Sequence, residues 1–377
     1  MRRCAKRFAA FLLAVGAVLS TGPALAFTDT SHMIAAEGAY QELSRSEAGR
    51  KVRDQIVAIL RKATDDLGND RSPSFDKDSG LAALRAAWEK ADATLSDGHA
   101  LFLVAAIWPD AIRRSKTRYD HGEYHYIDIP YERNGGKAPA AQNPINPDGT
   151  VRENNAVYWF NAQMDVVGKA LKKKAADCDA GDAAAVCWVL HLAGDLHQPL
   201  HAVSLYDGGV KKFKYFKLDA NKRQDVEQWA DLGAEGDRGG NLFFVEEPKS
   251  SAAKQLHRRW DDWASFATPP LENAETQFPS RLKIAVDEAE KMRATAVSAN
   301  KAKVLDPLKW ALESNELAKT VAYAGIAPFT GVPPGEKEPT GIAPDAKYDE
   351  TMVSTCRQQL ALAGHRLAGA IEAAGKP

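Results

Sequence analysis

Hydrophobic residues recur along most of the chain at the three- and four-residue spacing that places them on one face of a helix. Within residues 34–64, for example, Ile56, Ile59 and Leu60 mark such a face. The same pattern predicts further helices at 81–93, 101–107, 155–174, 183–196, 252–264, 276–299, 308–323 and 348–374. No internal repeat divides the pattern. The prediction is therefore a mainly α protein with a single helical domain from residue 27 to residue 377.

Residues 203–240 depart from this helical pattern. The segments 210–218 and 241–245 have strand character, which predicts a small β-hairpin inserted into the helical body. Lysines interleave with aromatic residues over 211–217, and two interpretations are open. The segment is either a half-buried strand with a solvated lysine face, or an arm or lid next to a site. Polar stretches rich in Gly, Pro, Asp or Asn predict loops at 65–80, 135–149 and 328–344.

The first 26 residues have the pattern of a secretory signal peptide. Four basic residues precede a short apolar run at 8–19, and Ala24-Leu25-Ala26 is a small-x-small cleavage site. The apolar run is too short to span a bilayer stably, and no other segment is a candidate span. We therefore expect cleavage after Ala26, a mature chain that begins at Phe27, and a secreted or periplasmic protein.

Charge and cysteine content narrow the classes of function. Removing four basic residues from the total of 49 leaves 45 Lys and Arg against 50 Asp and Glu, a net charge of −5. This balance excludes a protein that binds nucleic acid by bulk positive charge, so phosphate binding requires a local site. In an oxidising compartment, Cys178 and Cys187 are candidates for a disulfide, with Cys356 as the odd thiol, although other pairings are open.

Two histidine–aspartate pairs carry the candidate chemistry. His191 and Asp195 are four residues apart, so they share one face of a helix that Pro199 is expected to end, with His201 just beyond. His257 and Asp261 repeat the spacing. One such pair alone is usually structural, but imidazole and carboxylate groups in this number suit zinc.

Further motifs accompany these pairs in a fixed order. Phe27 is the first residue of the expected mature chain, and His32 is the sixth. The other motifs are Trp108-x-Asp110-x-x-Arg113, His125-x-Ile127-Asp128, Gly239-Gly240-Asn241, Trp310-Ala-Leu-Glu-Ser314 and Ala363-Gly-His-Arg-Leu367. Taken together, the chain resembles the zinc-dependent type I nucleases, which are specific for single strands and are related to the zinc-dependent phospholipases C. The resemblance covers nearly all of the mature chain and implies their helical fold.

The resemblance also implies three zinc ions and their ligands. The first zinc would be held by Asp110, His125, His191 and Asp195. The second would be held by the α-amino group and carbonyl oxygen of Phe27, by His32 and by Asp195, which bridges the pair. The third would be held by His201, His257 and Asp261. Of the remaining histidines, His197 is close in sequence to these ligands and is expected to pack or to support them.

The implied reaction is hydrolysis of phosphodiester bonds in single-stranded RNA and DNA to 5′-phosphorylated products, with 3′-nucleotidase activity in some members. A hydroxide bridging the zinc pair would be the nucleophile. Arg113 corresponds to a phosphate-binding cation, Asp128 to the carboxylate that orients it and the attacking water, Tyr126 to a base-stacking ring and Asn241 to a base-pocket residue. Surface charge for Arg113 and core packing for Tyr126 are the alternatives.

Two departures from the family pattern keep other functions open. Phe27 stands where the family usually has Trp, and residues 203–238 are long for their position. A phospholipase C with the same zincs is one alternative, although Asp261 and Arg113 favour a nuclease. A zinc-binding protein without turnover is the other. For the nuclease, we expect a monomer that acts on single-stranded nucleic acid or nucleotides and has no obligate protein partner.

Overall fold

The computed structural model describes residues 27–66, 80–91, 95–113, 115–209, 213–219, 224–245, 254–273, 276–293, 297–324, 326 and 344–376. The expected signal peptide therefore lies outside the described residues, as do most of the loops expected at 65–80 and 328–344. None of the described helices is long and apolar enough to cross a membrane.

Helices dominate the described chain, as the hydrophobic pattern predicts. They are α1 Asp29–Leu43, α2 Glu47–Asp66, α3 Leu81–Glu89, α4 Asp97–Ala105, α5 Trp108–Ala111, α6 Ala156–Ala170, α7 Ala180–Asp195, α8 Leu256–Asp261, α9 Phe278–Met292, α10 Ala299–Ala302, α11 Pro307–Leu317 and α12 Ala346–Ala374. A π-helical turn, Ala318–Ala322, follows α11 directly. The prediction of a mainly α fold is confirmed.

Helix α7 lies at the centre of the protein. Asp179 caps its first turn by accepting hydrogen bonds from the backbone N–H groups of Gly181 and Asp182. All but one of its residues are buried, since α1, α4, α6 and α12 pack around it. It ends at Asp195, before Pro199, and a short 3₁₀ turn, Pro199–Ala202, follows. The predicted end of the helix and the position of His201 just beyond it are confirmed.

Three short two-stranded sheets lie among the described residues. The parallel pair β1 Pro130–Arg133 and β2 Ser204–Asp207 aligns Pro130 with Ser204. Because β1 follows the segment that contains His125 and β2 follows His201, this pairing brings two candidate ligands together. The other two sheets are antiparallel and pair β3 Phe213–Asp219 with β4 Gln224–Ala230 and β5 Phe244–Val245 with β6 Lys254–Gln255.

The sheets correct one detail of the prediction. The inserted hairpin exists, but 213–219 pairs with 224–230 rather than with 241–245. The sequence of β4, Gln-Asp-Val-Glu-Gln-Trp-Ala, is polar and carries little of the alternation that identifies a strand. The side chains of β3 and β4 lie outside the described part of the structure, so the two interpretations of the lysines stay open.

The candidate disulfide between Cys178 and Cys187 is absent. Cys178, Cys187 and Cys356 are all buried free thiols. Cys178 precedes α7 and directs its Sγ towards the carbonyl oxygens of Ala170 and Lys174. Cys187 lies about 10 Å along α7 from its first residue, beyond the Cα separation of about 7 Å that a disulfide can bridge.

Candidate metal centre

Nine predicted site residues converge from seven parts of the fold. α1 supplies His32, α5 supplies Asp110, the 3₁₀ turn Gly122–His125 supplies His125, α7 supplies His191 and Asp195, and α8 supplies His257 and Asp261. His201 lies in the turn after α7, and Phe27 precedes α1. Three groups within this set place their ligand atoms within 4.8 Å of one another: His32, Asp110 and His191; His125, His191 and Asp195; and His201, His257 and Asp261.

Asp195 lies at the centre of these groups. Its Oδ2 is 3.1 Å from both His125 Nδ1 and His191 Nε2. Its Oδ1 is 3.6 Å from His32 Nε2 and 3.3 Å from His201 Nδ1. One carboxylate therefore contacts histidines that belong to each of the three predicted zinc sites.

The backbone fixes which nitrogen three of the histidines present. The Nδ1 of His191 lies 2.7 Å from the carbonyl oxygen of Ala106, that of His201 lies 2.9 Å from the carbonyl oxygen of His125, and that of His257 lies 2.6 Å from the carbonyl oxygen of Gly239. When Nδ1 donates its proton to a carbonyl, Nε2 carries the free lone pair that a metal requires. Each of these three Nε2 atoms faces a carboxylate of the cluster.

His32 is held against α7 by close packing. Its ring stacks on His191 with centroids 3.8 Å apart, and the ring of Phe27 lies 6.4 Å from it in an edge-on arrangement. A Cβ at Gly194 would lie 2.8 Å from His32 Nδ1, so only glycine leaves room for the imidazole there. Phe27 is fully buried, which places the expected mature N-terminus beside this cluster.

Burial keeps most of the imidazoles neutral. Burial lowers the pKa of His125 and of His257 to about 3, and that of His32 well below its usual range. Burial likewise lowers the pKa of His201. Burial also acts to lower the pKa of His191, but the negative charges of Asp195 and Asp110 outweigh it, so the pKa of His191 is raised. The neutral imidazole is the form that binds metals.

The positive charge of the neighbouring side chains does not balance the buried carboxylates of the centre. Burial raises the pKa of Asp110 to about 6 and that of Asp261 well above its usual range, with repulsion from Asp195 contributing to both. Only Asp195, which faces His191 and His201, has a pKa well below the usual range despite its burial. Buried carboxylates in this state are stabilised by cations.

Several buried polar atoms of the cluster have no hydrogen-bond partner within the described structure. They are both ring nitrogens of His32, Oδ1 of Asp110, Nε2 of His125, Oδ1 of Asp195, Nε2 of His201 and Oδ2 of Asp261. A buried polar atom without a partner costs free energy unless something else satisfies it. Nitrogen and carboxylate oxygen donors in this arrangement fit zinc, so the residues present suit the metal that the sequence predicts.

The predicted substrate residues lie at the edge of this centre. Arg113 Nη1 is 3.6 Å from Asp110 Oδ1, and its side chain is 23% exposed. Tyr126 is 39% exposed, so its ring is not a simple core residue. Burial raises the pKa of the half-buried Asp128 to about 7, with Asp237 raising it further and Arg238 lowering it. Asn241 donates from Nδ2 to the carbonyl oxygen of Arg238.

The structure brings in residues that the sequence analysis does not identify. Gln198 donates from Nε2 to Asp261 Oδ1 at 2.9 Å, and its position between the predicted ligands Asp195 and His201 is a signal that could have identified it. Asp237 and Arg238 lie beside Asp128, and Tyr323 donates to Asp237. Tyr323 has no local sequence signal, since it reaches the site from the far end of the chain.

His197 is a packing residue. Its Nδ1 lies 2.7 Å from the carbonyl oxygen of Ala193, and its Nε2 lies 3.0 Å from Arg366 Nη1, which donates to it. Trp188, Trp260 and Trp310 are fully buried, as expected for core residues.

Comparison with known proteins agrees with this geometry. No curated protein matches the chain. A family model described as S1/P1 nuclease matches residues 27–375, a span that contains every residue of the centre. The chain therefore belongs to the S1/P1 nuclease family, whose members depend on zinc and hydrolyse the phosphodiester bonds of nucleic acids.

Proposed function

We propose that this nuclease is a secreted or periplasmic endonuclease that uses three zinc ions to cleave single-stranded RNA and DNA to 5′-phosphorylated products, with 3′-nucleotidase activity as a second capacity. In this proposal, residues 27–377 form the catalytic domain of a monomer. The observation that supports it best is the set of three His/Asp groups linked through Asp195.

The proposed ligand sets follow the family pattern residue by residue. Asp110, His125, His191 and Asp195 would hold one zinc, and Phe27, His32 and Asp195 a second. The group His201, His257 and Asp261 would hold the third and coincides with one of the three clusters. The other two clusters share His191, which is consistent with two ions lying close together. Three carboxylates leave three dications with an excess of positive charge that attracts phosphate.

Zinc in such a centre activates water at neutral pH and compensates negative charge on the phosphate. The protein's own contribution to this reaction would come from two side chains at the edge of the centre. Arg113 would hold the equatorial phosphate oxygens, since a guanidinium binds two of them at once. Asp128 would orient the attacking water and accept its proton, since its pKa of about 7 allows both forms near neutral pH. Cleavage of the P–O3′ bond leaves the phosphate on the 5′ side of the product.

The preference for single strands is proposed from Tyr126. Its exposed ring offers a stacking surface for one base, and Asn241 lies on the turn beside Arg238 and Asp128. Every base has an aromatic face, but a duplex hides these faces between base pairs. An unpaired strand is therefore the substrate that this edge favours.

The test uses protein that begins at Phe27. Zinc content is measured, together with cleavage of matched single-stranded and duplex oligonucleotides, before and after chelation and after zinc is restored. We expect about three zincs per chain, loss and recovery of activity with the metal, and much faster cleavage of the single strand. Three zincs without cleavage of DNA or RNA would contradict the nuclease, and turnover of phosphatidylcholine in that case would identify a phospholipase instead.

A further inference from the structure

Asp237 is a buried carboxylate with an unusual set of partners. It is fully buried, and the side-chain partners that the described residues give it are neutral. Its Oδ1 accepts from the backbone N–H of Leu205 at 2.8 Å. Its Oδ2 accepts from the N–H of Gly240 at 3.0 Å and from the hydroxyl of Tyr323 at 2.6 Å. A buried charge without a cation is costly, so these bonds must serve an arrangement that a neutral side chain would not maintain.

The bonds of Asp237 join β2 to the turn formed by residues 237–241. The backbone N–H of Asp237 also donates to the carbonyl oxygen of Leu205, and its own carbonyl oxygen accepts from Leu242. Arg238, Gly239 and Gly240 all have positive φ values, of 56°, 65° and 81°. Because the left-handed region is unfavourable for arginine, external contacts are needed to hold the turn in this shape.

This turn makes two hydrogen bonds to the predicted zinc ligand His257. The carbonyl oxygen of Gly239 lies 2.6 Å from His257 Nδ1, and the carbonyl oxygen of Gly240 accepts from the backbone N–H of His257 at 3.3 Å. A Cβ at Gly239 would lie 2.2 Å from the carbonyl oxygen of Leu200, so the turn fits only without a side chain there. The shape of the turn therefore sets the orientation of the His257 ring.

Tyr323 connects the turn to the C-terminal part of the fold. It follows the π-helical turn Ala318–Ala322, whose last carbonyl oxygen accepts from the hydroxyl of Tyr348 on α12. π-Helical turns commonly occur where a side chain must be placed outside the regular helical register. Tyr323 is itself buried, and its hydroxyl donates to Asp237.

We propose that Asp237, supported by Tyr323, is a positioning residue of this nuclease. It fixes the 237–241 turn so that the turn orients His257 as a zinc ligand and presents Arg238 and Asn241 to the substrate. The inference rests on the proposed function for the zinc and substrate roles of these three residues.

The substitutions Asp237→Asn and Tyr323→Phe test this role. In Asp237→Asn, the amide nitrogen must face either the Leu205 N–H or the Gly240 N–H, so one donor meets another donor. Tyr323→Phe removes one hydrogen bond and keeps the ring. Asp207→Asn and Tyr206→Phe are matched controls. Asp207 is equally buried but binds Arg133, Asn134 and Gly209, and Tyr206 donates to Gln142.

The first readout is zinc affinity and stoichiometry, measured by titration against a chromophoric chelator. We expect Asp237→Asn to weaken one of the bound zincs by roughly 10- to 100-fold, which is typical for loss of a group that orients a ligand. Tyr323→Phe should act on the same zinc, by about threefold to tenfold, and the controls should stay within about twofold of the unmodified protein. In cleavage of a single strand, KM should rise as well as kcat fall, since Arg238 and Asn241 move with the turn.

Two results would overturn the inference. One is unchanged zinc affinity and unchanged KM in both test variants. The other is an equal loss of zinc in Asp207→Asn, which would indicate general destabilisation. If Asp237→Asn does not fold, Tyr323→Phe decides alone. Failure of the unmodified protein to cleave nucleic acid would refute the proposed function, whereas the zinc titration would still decide whether Asp237 positions His257.

Discussion

At the scale of single residues, the structure separates the proposed metal ligands from the side chains that are proposed to face the substrate. The ligand atoms are buried, whereas Arg113 and Tyr126 are partly exposed at its edge. Arg113 is 3.6 Å from Asp110, so it is neither a freely solvated surface charge nor tied in a tight ion pair. That geometry leaves its guanidinium free to turn towards a phosphate.

The role of Arg113 is tested by Arg113→Ala. If the guanidinium stabilises charge that develops on the phosphate, kcat on a single-stranded oligonucleotide should fall by roughly 100-fold, as for loss of other such donors. Arg113→Lys should recover part of this loss. Arg118→Ala is the control, because Arg118 is exposed nearby and packs on Tyr119. Equal activities in Arg113→Ala and Arg118→Ala would mean that Arg113 is only surface charge.

Arg238 gives a prediction about pH. Its positive charge opposes the rise that burial and Asp237 impose on the pKa of Asp128. In Arg238→Ala the Asp128 carboxylate becomes harder to ionise, so the acidic limb of the kcat/KM profile should move to higher pH. Arg258→Ala is the matched control, since Arg258 is exposed and contacts Asp262. A limb that stays in place in Arg238→Ala would show that Asp128 does not set the acidic limb.

At the scale of elements, the sequence predicts best where one segment carries its own signal. The apolar run before His191 and Pro199 beyond the end predict a helix at 183–196, and the structure has α7 over Ala180–Asp195 with His201 just beyond it. Where the structure of a segment depends on contacts with residues distant in sequence, the prediction fails. β4 is polar, and the π-helical turn inside the segment 308–323 shifts the register by one residue, which a helical periodicity does not detect. The sequence does not identify Asp237 and Tyr323 for the same reason, since 86 residues separate them.

The packing of α12 against the helix that carries the ligands gives a prediction about stability. Arg366 on α12 is fully buried and donates to His197 Nε2, Glu313 and the carbonyl oxygen of Lys301. Arg366→Met should lower the free energy of unfolding by about 3 kcal/mol or more, because it leaves the buried His197 nitrogen without its donor. Urea denaturation measures this.

The control for Arg366→Met is Lys283→Ala. Lys283 forms an exposed ion pair with Asp287 on α9, and its loss should cost less than about 1 kcal/mol. If the two variants unfold at the same urea concentration, α12 is not anchored through Arg366.

At the scale of the whole molecule, the expected start of the mature chain is fixed by residues far along the sequence. Trp263 donates from Nε1 to Ser31 Oγ at 2.9 Å, and the hydroxyl of Thr30 donates to Glu272. These contacts hold the first turn of α1 in place, with Phe27 buried immediately before it. The position of Phe27 beside His32 is therefore a property of the complete fold. It connects the proposed removal of residues 1–26 to the proposed chemistry.

Cleavage after Ala26 should therefore be required for full zinc binding and activity. Only a free α-amino group has the lone pair that a metal needs, because the nitrogen becomes an amide when any residue precedes Phe27. Protein with one additional alanine before Phe27 should hold about one zinc fewer and cleave a single strand roughly 100-fold more slowly. Phe27→Trp with a free N-terminus is the control and should retain both zinc and activity, since the chelating atoms belong to the backbone. Full zinc content and activity in the extended protein would remove Phe27 from the ligand set. Loss of both in the extended protein alone would mean that the precursor stays inactive until cleavage after Ala26.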